Sequence, residues 1–478
     1  MLHSDGVYRN QEDYEVPNQA EPLAGTSLES RNGALSASYF GDSARFGIAL
    51  SRYTALYGIP EAEEEEPSTN SQQAKADADA AVGVRINLAQ NRIDLSAAVF
   101  GVTDAIEQVE LRFGNNDYQH VELEGGETGT LFDVQSNLLR IEAVHAPLIG
   151  EGKGAFGFTF DSTDFKAIGE EAFVPFTKSK GLGLFVIEHI ESGALHTDLG
   201  LRFDRVTTNS VGKTKLQDNL IGFSASGTYA LSDRDAGDYW EISANFDRAQ
   251  RAPVAEELFS DGAHIATQSY EVGTETLSKE SANNFELGLH YHGENAHASV
   301  SAYSNRFDNF IYQRASGEEI DGLPVRIWSQ GDARFNGFEA QATLTLHQSA
   351  DFGQLEGTLQ MDSVNARLDR GGNLPRIAPQ RFGGNLNWNR GAWHANLSVM
   401  RYAKQDDVAA FETPTNGYTR VDFDATRSFA NSDESLLTEV YFRIRNAADQ
   451  LAYAHTSFLK EFAPLPGRNI GFGVRLYW

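Results

Sequence analysis

The chain has 478 residues, 41% of them hydrophobic, and it carries a formal net charge of −28. The excess of 67 acidic over 39 basic residues disfavours nucleic acid as a partner and favours surfaces that concentrate cations. Cysteine is absent, which excludes disulfides and thiolate metal sites, and no apolar run approaches the roughly 18 residues of a membrane-spanning helix.

The first residues, Met1–Asp5, have neither the basic region nor the apolar core of a secretory signal peptide. We therefore expect the chain to be a fragment or a processed form. Alternation of apolar and polar residues with a period of two recurs almost everywhere along the chain. The clearest stretches are 46–51, 82–88, 240–247, 285–292, 421–426 and 439–444. Strict alternation predicts half-buried β-strands rather than helices.

The segments between these strands are predicted to be turns of two sizes. Residues 89–92 read as a short turn, whereas 61–79, 261–279, 315–326 and 368–380 read as long polar loops. Short turns at one end and long loops at the other are typical of outer-membrane barrels. The 61–79 loop contains the acidic run Glu63–Glu66, lacks the apolar content that would order it, and is expected to be mobile.

The final segment is the most informative strand. Its apolar face carries Phe472, Val474, Leu476 and Trp478, and its other face carries Gly471, Gly473, Arg475 and Tyr477. This pattern suits a transmembrane β-barrel, whose outward face meets lipid and whose inward face meets a wet lumen. A β-sandwich would also alternate, but charges recur along the polar faces, as at Glu241, Asp247, Arg443 and Arg445. We predict an all-β, transmembrane antiparallel barrel.

Several motifs carry a resemblance to a known family. They are Asp5–Arg9, Tyr57–Pro60, Asp117–Glu124, Gly169–Pro175, Arg251–Phe259 with Asp261–Thr267, and Arg445–Asp449 with the segment up to Asn469. Together they resemble TonB-dependent receptors over residues 5–478, and most closely the zinc-uptake subgroup of that family.

The resemblance implies a bacterial outer-membrane barrel of 22 strands that takes up a metal ion or a metal chelate and is not an enzyme. Residues 5–478 would be the barrel. The N-terminal plug and the TonB box would precede Asp5 and are therefore expected to be missing from this chain. The implied partners are the lipid bilayer, lipopolysaccharide and, through the missing part only, the inner-membrane TonB energy complex.

The candidate metal ligands begin on one predicted strand. Tyr118, His120, Glu122 and Glu124 share a face that should point into the lumen. Zinc accepts imidazole nitrogen and carboxylate oxygen and usually takes about four donors, so this strand needs a partner. His264 is the best candidate, because its long loop is expected to fold towards the lumen mouth. The zinc-uptake subgroup implies one Glu and one His of the barrel, which we place at Glu122 and His264. Zinc or another metal ion is expected as the cargo, with no cofactor.

Other interpretations remain open. The same residues could simply solvate the lumen wall, and His145, His189, His347, His394 and His455 have no partners that a sequence can show. The acidic run after Pro60 has no histidine, which weakens the case for zinc. A chelate receptor would use Tyr303, Phe307, Tyr312 and Trp328 with arginines, and an unplugged barrel would be a passive pore. An enzyme would need a nucleophile, a base and an orienting group together, and no such motif is recognisable.

Overall fold

The computed structural model describes residues 1–60, 83–124, 127–148, 150–169, 172–234, 237–430 and 436–477. In these ranges most residues lie in β-strands, with one α-helix, α1 (Ala255–Phe259), and a 3-10 turn (Ile265–Thr267). None of the described helices has the length and apolarity needed to cross a bilayer.

The described ranges contain 23 strands. They are β1 (Leu2–Gln11), β2 (Leu28–Phe40), β3 (Ala44–Gly58), β4 (Arg85–Phe100), β5 (Ile106–Glu124), β6 (Glu127–His145), β7 (Glu151–Ile168), β8 (Thr177–Ser192), β9 (Leu195–Ser210), β10 (Leu216–Ala230), β11 (Tyr239–Arg251), β12 (Asp261–His264), β13 (Ser269–Val272), β14 (Glu280–His292), β15 (Ala296–Ile320), β16 (Leu323–Ser349), β17 (Gly353–Leu368), β18 (Gly372–Asn373), β19 (Arg381–Arg390), β20 (Trp393–Tyr402), β21 (Tyr418–Ala430), β22 (Leu437–Arg445) and β23 (Asn469–Tyr477).

Twenty of these strands form one antiparallel ladder that runs from β1 to β23. The other three, β12, β13 and β18, lie in loops, and β13 pairs in parallel with the outer part of β16. The predicted all-β antiparallel barrel is confirmed. The resemblance implied 22 strands, and the ladder has 20 in the described residues.

Alternating side chains give each strand an apolar face towards the lipid and a polar face towards the lumen. On β9 the odd-numbered residues Leu199, Leu201 and Phe203 are exposed apolar side chains, so the even-numbered ones point into the barrel. β23 follows the predicted pattern, with Phe472 exposed to 78% on the outer face. On its inner face Gly473 leaves room for the ring of Tyr441 on β22, which would lie 2.1 Å from a Cβ at position 473.

The connections define two ends of the barrel. At the short-turn end the strands are joined by tight links such as 41–43, 193–194 and 391–392. At the long-loop end lie the connections 252–279, 369–380, 403–417 and 446–468. The expected asymmetry is therefore present. The predicted 61–79 loop lies outside the described residues.

Two of the predicted turns are corrected by the structure. Residues 89–92 lie inside β4, where the Gln90 amide donates to Asn116 on β5, so cross-strand pairing outweighs the local turn preference. Residues 315–326 are not a loop but the tip of the long β15–β16 hairpin. Asp321 and Gly322 both have positive φ, 51° and 78°, which is the two-residue turn that joins paired strands most readily.

The three clusters of buried apolar residues lie at the long-loop end. One cluster, the aromatic cluster, joins Phe132 of β6, Phe173 and Val174 to Ala255, Leu258 and Phe259 of α1. A second joins Ile59, Val84 and Ile86, and a third joins Ala333, Ala366 and Leu374. The long loops are thus packed onto the inner wall, which fixes the side chains they carry.

The loop segments next to the first and last strands of the ladder meet at the long-loop end. The Gly467 amide donates to the Glu15 carbonyl at 2.8 Å, and the Tyr14 hydroxyl donates to the Pro464 carbonyl at 2.7 Å. Among the described residues no strand pairing joins β1 to β23. A cavity of about 700 Å³ at this end is lined in part by Arg9 and Arg445.

Candidate metal site at the long-loop end

The segment 252–279 folds back into the barrel mouth and presents His264 there. It begins with α1, whose Glu257 carboxylate accepts from the Val254 amide and from Arg251. The hairpin β12–β13 follows, and the Asp261 amide donates to the Phe173 carbonyl at 2.8 Å. This tie places His264, the last residue of β12, against the aromatic cluster.

A buried carboxylate orients the imidazole of His264. Its Nδ1 lies 2.8 Å from Glu271 Oε1, which also accepts from the Thr267 hydroxyl at 3.0 Å. Burial alone would raise the pKa of Glu271, but hydrogen bonds from His264, Thr267 and Gln313 outweigh it and lower the pKa. Glu271 is therefore ionised at neutral pH and holds the proton of His264 on Nδ1. Nε2 is left as the nitrogen that can bind a metal.

His120 reaches the same aromatic cluster from the barrel wall. Its direct cross-strand neighbour is Phe132, on which its ring stacks with the centroids 4.4 Å apart. Phe132 in turn contacts Phe173 at 6.0 Å, and Phe173 stacks on His264 at 4.7 Å. The two imidazoles, separated by 144 positions in the chain, lie within electrostatic range of each other. Among the described residues His120 Nδ1 is buried without a hydrogen-bond partner.

Glu122 lies on the same face of β5 as His120 and is only 2% exposed. Its cross-strand neighbour on β4 is the buried Ile86, so the carboxylate sits beside an apolar cluster. Burial of a carboxylate is costly unless hydrogen bonds or a cation compensate it. Glu124 ends β5 opposite Glu127, and its side chain lies outside the described part of the structure.

The structure therefore brings His120, Glu122 and His264, which we call the mouth cluster, to one end of the lumen. Their ligand atoms do not yet converge as a bound ion would require. Converging ligand atoms are found elsewhere in the described ranges. There the ligand atoms of His189, Glu191 and His196 all lie within 4.8 Å of one another.

A second polar site lies beside the mouth cluster. A cavity of about 480 Å³ is lined by Tyr312, Arg326, Arg376 and Phe458 among others. The guanidinium carbons of Arg326 and Arg376 lie 5.1 and 3.9 Å from the centre of the Phe458 ring. Burial, followed by the positive charge of Arg326, lowers the pKa of Arg376 to about 10. Arg326 Nε and Arg376 Nη1 are buried without hydrogen-bond partners in the described structure.

One carboxylate ties the loops around this cavity together. Glu412 accepts from the backbone amides of Arg376 and Ala409 at 2.8 and 2.9 Å. It also accepts from Lys460 Nζ at 2.9 Å and lies 3.3 Å from His455 Nε2. Three long-loop segments, 369–380, 403–417 and 446–468, are thereby joined at one buried point.

Sequence reasoning missed several of these residues. Glu271, Arg326, Arg376 and Glu412 come from four separate segments, and no local motif marks them. Of the aromatic residues proposed for a chelate receptor, Tyr312 lines the cavity, whereas Phe307 packs in the third apolar cluster. Trp328 offers its backbone carbonyl to the Thr274 hydroxyl, and Tyr303 lies over Gly337 on the wall.

Comparison with known proteins agrees with this architecture. Residues 18–447 match the family model described as TonB dependent receptor-like, beta-barrel, and the chain belongs to that family. The copper transporter OprC is similar in structure, with 16% identity, a TM-score of 0.81, and coverage of 100% of this chain and 76% of OprC.

Two other solved structures show the same fold. The FrpB iron transporter from Neisseria meningitidis has 13% identity and a TM-score of 0.76, and the match covers 99% of this chain and 77% of the FrpB chain. The ferric citrate transporter FecA has 16% identity and a TM-score of 0.71, and the match covers 100% of this chain and 73% of the FecA chain. The family is one of bacterial outer-membrane receptors, so the barrel lies in the outer membrane, with its long-loop end facing outwards.

Proposed function

We propose that this receptor barrel takes up a divalent transition metal, with zinc as the first candidate, through the mouth cluster of His120, Glu122 and His264. The observation that carries the proposal is the contact of His264 with Glu271. Histidines that bind metals commonly donate their other ring N–H to a carboxylate, which fixes the tautomer and raises the basicity of the ligating nitrogen. The 2.8 Å contact from Nδ1 to Glu271 has this form.

The donor types and their surroundings support the same cargo. Two imidazoles and a carboxylate are ligands that zinc prefers, whereas calcium and magnesium prefer oxygen alone. Three donors leave a position for water or for a ligand from another segment. Similar structures include a copper transporter and an iron transporter, so the fold accommodates transition-metal cargo elsewhere.

The test is calorimetric titration of the refolded full chain in detergent with Zn²⁺, with excess Ca²⁺ as competitor. We expect saturable zinc binding that calcium does not displace, and the variant Glu122→Gln/His264→Ala should bind one zinc equivalent fewer. Glu271→Gln should keep the site but weaken it roughly 10- to 100-fold, because the partner that orients His264 is lost.

A matched control is Glu286→Gln/His290→Ala on β14. These two residues alternate with exposed apolar side chains and so face the lumen, with Asn245 and Ser243 as their partners. The control should bind as many zinc equivalents as the wild type. An unchanged stoichiometry in Glu122→Gln/His264→Ala would refute the mouth cluster as the metal site.

A second candidate is uptake of an anionic metal chelate, and the paired arginines of the 480 Å³ cavity favour it. Two buried guanidinium groups with unpaired donors would gain charge-assisted hydrogen bonds from a carboxylate-bearing chelate. Ferric citrate is a suitable probe. Binding that disappears in Arg326→Gln/Arg376→Gln but persists in Glu122→Gln/His264→Ala would favour the chelate. The reverse pattern would favour the free metal.

A further inference from the structure

The group with converging ligand atoms lies at the other end of the barrel. His189 and Glu191 are near the end of β8, and His196 and Asp198 are near the start of β9. The register pairs His189 directly with Asp198 and Glu191 directly with His196. The four side chains therefore form a rectangle on one face of a single hairpin. We call this set the turn cluster.

The turn cluster faces the lumen. His196 and Asp198 alternate with Leu195 and Leu199, which are exposed apolar residues of the outer face. Cross-strand partners share a face, so His189 and Glu191 point inwards as well. Their side chains are 37% and 50% exposed, which makes the cluster accessible from the lumen.

The hairpin holds these side chains in a fixed arrangement. The strands are joined by only two residues, Gly193 and Ala194, and Gly193 has φ of 60°, which a side chain would disfavour. A two-residue link fixes the register of the whole hairpin. The ligands are thus preorganised by the backbone and do not depend on the packing of a long loop.

From this geometry we propose that the turn cluster is a transition-metal site near the short-turn end of the lumen, independent of the mouth cluster. His189, Glu191 and His196 have ligand atoms within 4.8 Å of one another, and Asp198 Oδ1 lies 2.7 Å from His189 Nδ1. Around a tetrahedral zinc ion with bonds near 2.0–2.1 Å, ligand atoms lie ~3.4 Å apart, so side-chain rotations suffice. Two imidazoles and two carboxylates select zinc-like ions over calcium.

Arg234 competes with the ion for this site. Its Nη1 donates to His196 Nε2 at 2.6 Å, and its Nε donates to Glu241 at 2.8 Å. A metal that takes His196 Nε2 must displace this contact and accept a nearby positive charge. Substitution of Arg234 should therefore tighten metal binding, whereas a purely structural charge network would show no such gain.

The experiment uses the full chain carrying Glu122→Gln/His264→Ala, which removes the mouth cluster, and titrates it with Zn²⁺ in the presence of excess Ca²⁺. We expect about one zinc equivalent. Adding His189→Ala/His196→Ala should abolish it, and adding Arg234→Gln should raise the affinity several-fold. His347→Ala/His394→Ala is the matched control, because both imidazoles lie at the short-turn end with Ser349 and Asn389 as partners.

Each outcome decides the proposal. Zinc binding that is lost only in the His189→Ala/His196→Ala variant supports the turn cluster. No zinc binding in the background variant, or binding that survives His189→Ala/His196→Ala, overturns it. Failure of the mouth cluster is distinguishable, since it would appear as equal stoichiometry in the wild type and the background variant.

Discussion

Glu412 offers the sharpest test of how the long loops are held. Its carboxylate is 9% exposed and accepts from two backbone amides and from Lys460, with His455 in contact. The substitution Glu412→Gln keeps the shape but removes the charge that these four groups share. We expect the loops 369–380, 403–417 and 446–468 to open more often, while the strands of the ladder stay unchanged.

The magnitude follows from the pKa of the carboxyl group. Burial raises the pKa of Glu412, but hydrogen bonds from His455, Ala409, Lys460 and Arg376 outweigh it and lower the pKa from 4.5 to about 2. A shift of that size corresponds to ~3.4 kcal/mol, which we reduce to ~2 kcal/mol for screening by solvent. Because the folded-state pKa is depressed, this stabilisation is complete above pH 4.5 and is lost as the pH falls towards 2.

Hydrogen exchange provides the assay. The amides of Gln405 and Thr415 bond to each other's carbonyls at 3.0 Å within the loop that Glu412 closes. A loss of ~2 kcal/mol should speed their exchange roughly thirtyfold in Glu412→Gln at neutral pH. The exposed Glu461, which accepts from Thr413, gives the matched control Glu461→Gln. Exchange within twofold of the wild type in Glu412→Gln, or protection that does not weaken at low pH, would refute the reasoning.

Two further predictions concern the packing of the long loops. Leu258→Ala removes a side chain that is 1% exposed in the aromatic cluster and should cost ~2–5 kcal/mol, measured as faster exchange in 252–279 with unchanged exchange in β8. Gly25→Ala places a Cβ 2.7 Å from the Ile59 carbonyl oxygen at a φ of 74°, so it should cost at least ~1 kcal/mol. Limited proteolysis of 12–27 measures the second effect, and cleavage no faster than in the wild type would contradict it.

The strands could be predicted from the sequence because their signal is local. Alternation with a period of two is visible in any window of six residues, and it identified stretches of β3, β11, β14, β21, β22 and β23. The turns at 89–92 and 315–326 could not be judged in this way, because their conformation depends on pairing with neighbouring strands. The dipeptide Asp321-Gly322 is nevertheless a sequence signal for a two-residue hairpin turn. The polar residues around it led to its interpretation as a loop.

The candidate site residues were likewise predictable only where their signal is local in the sequence. His120, Glu122 and His264 could be chosen from their chemistry and from the family resemblance, and the structure gathers them at one mouth. Glu271 was missed because its contact with His264 depends on the β12–β13 hairpin. His189 has no partner that the sequence alone shows, although the short Gly193-Ala194 link between two His/acid pairs was a signal for the turn cluster.

The two proposed metal sites are too far apart to act as one. Phe165 packs on the aromatic cluster and pairs with Thr177, and His189 lies twelve residues further along β8. At ~3.3 Å per residue this separation is ~40 Å of strand. Two divalent ions at that distance in water repel each other by only ~0.4 kcal/mol before salt screening. The sites should therefore titrate independently, and zinc lost from both variants together should equal the sum of the separate losses. A combined loss of zinc that differs from this sum would mean that the two sites are coupled through the structure. Strand pairing alone does not provide such coupling.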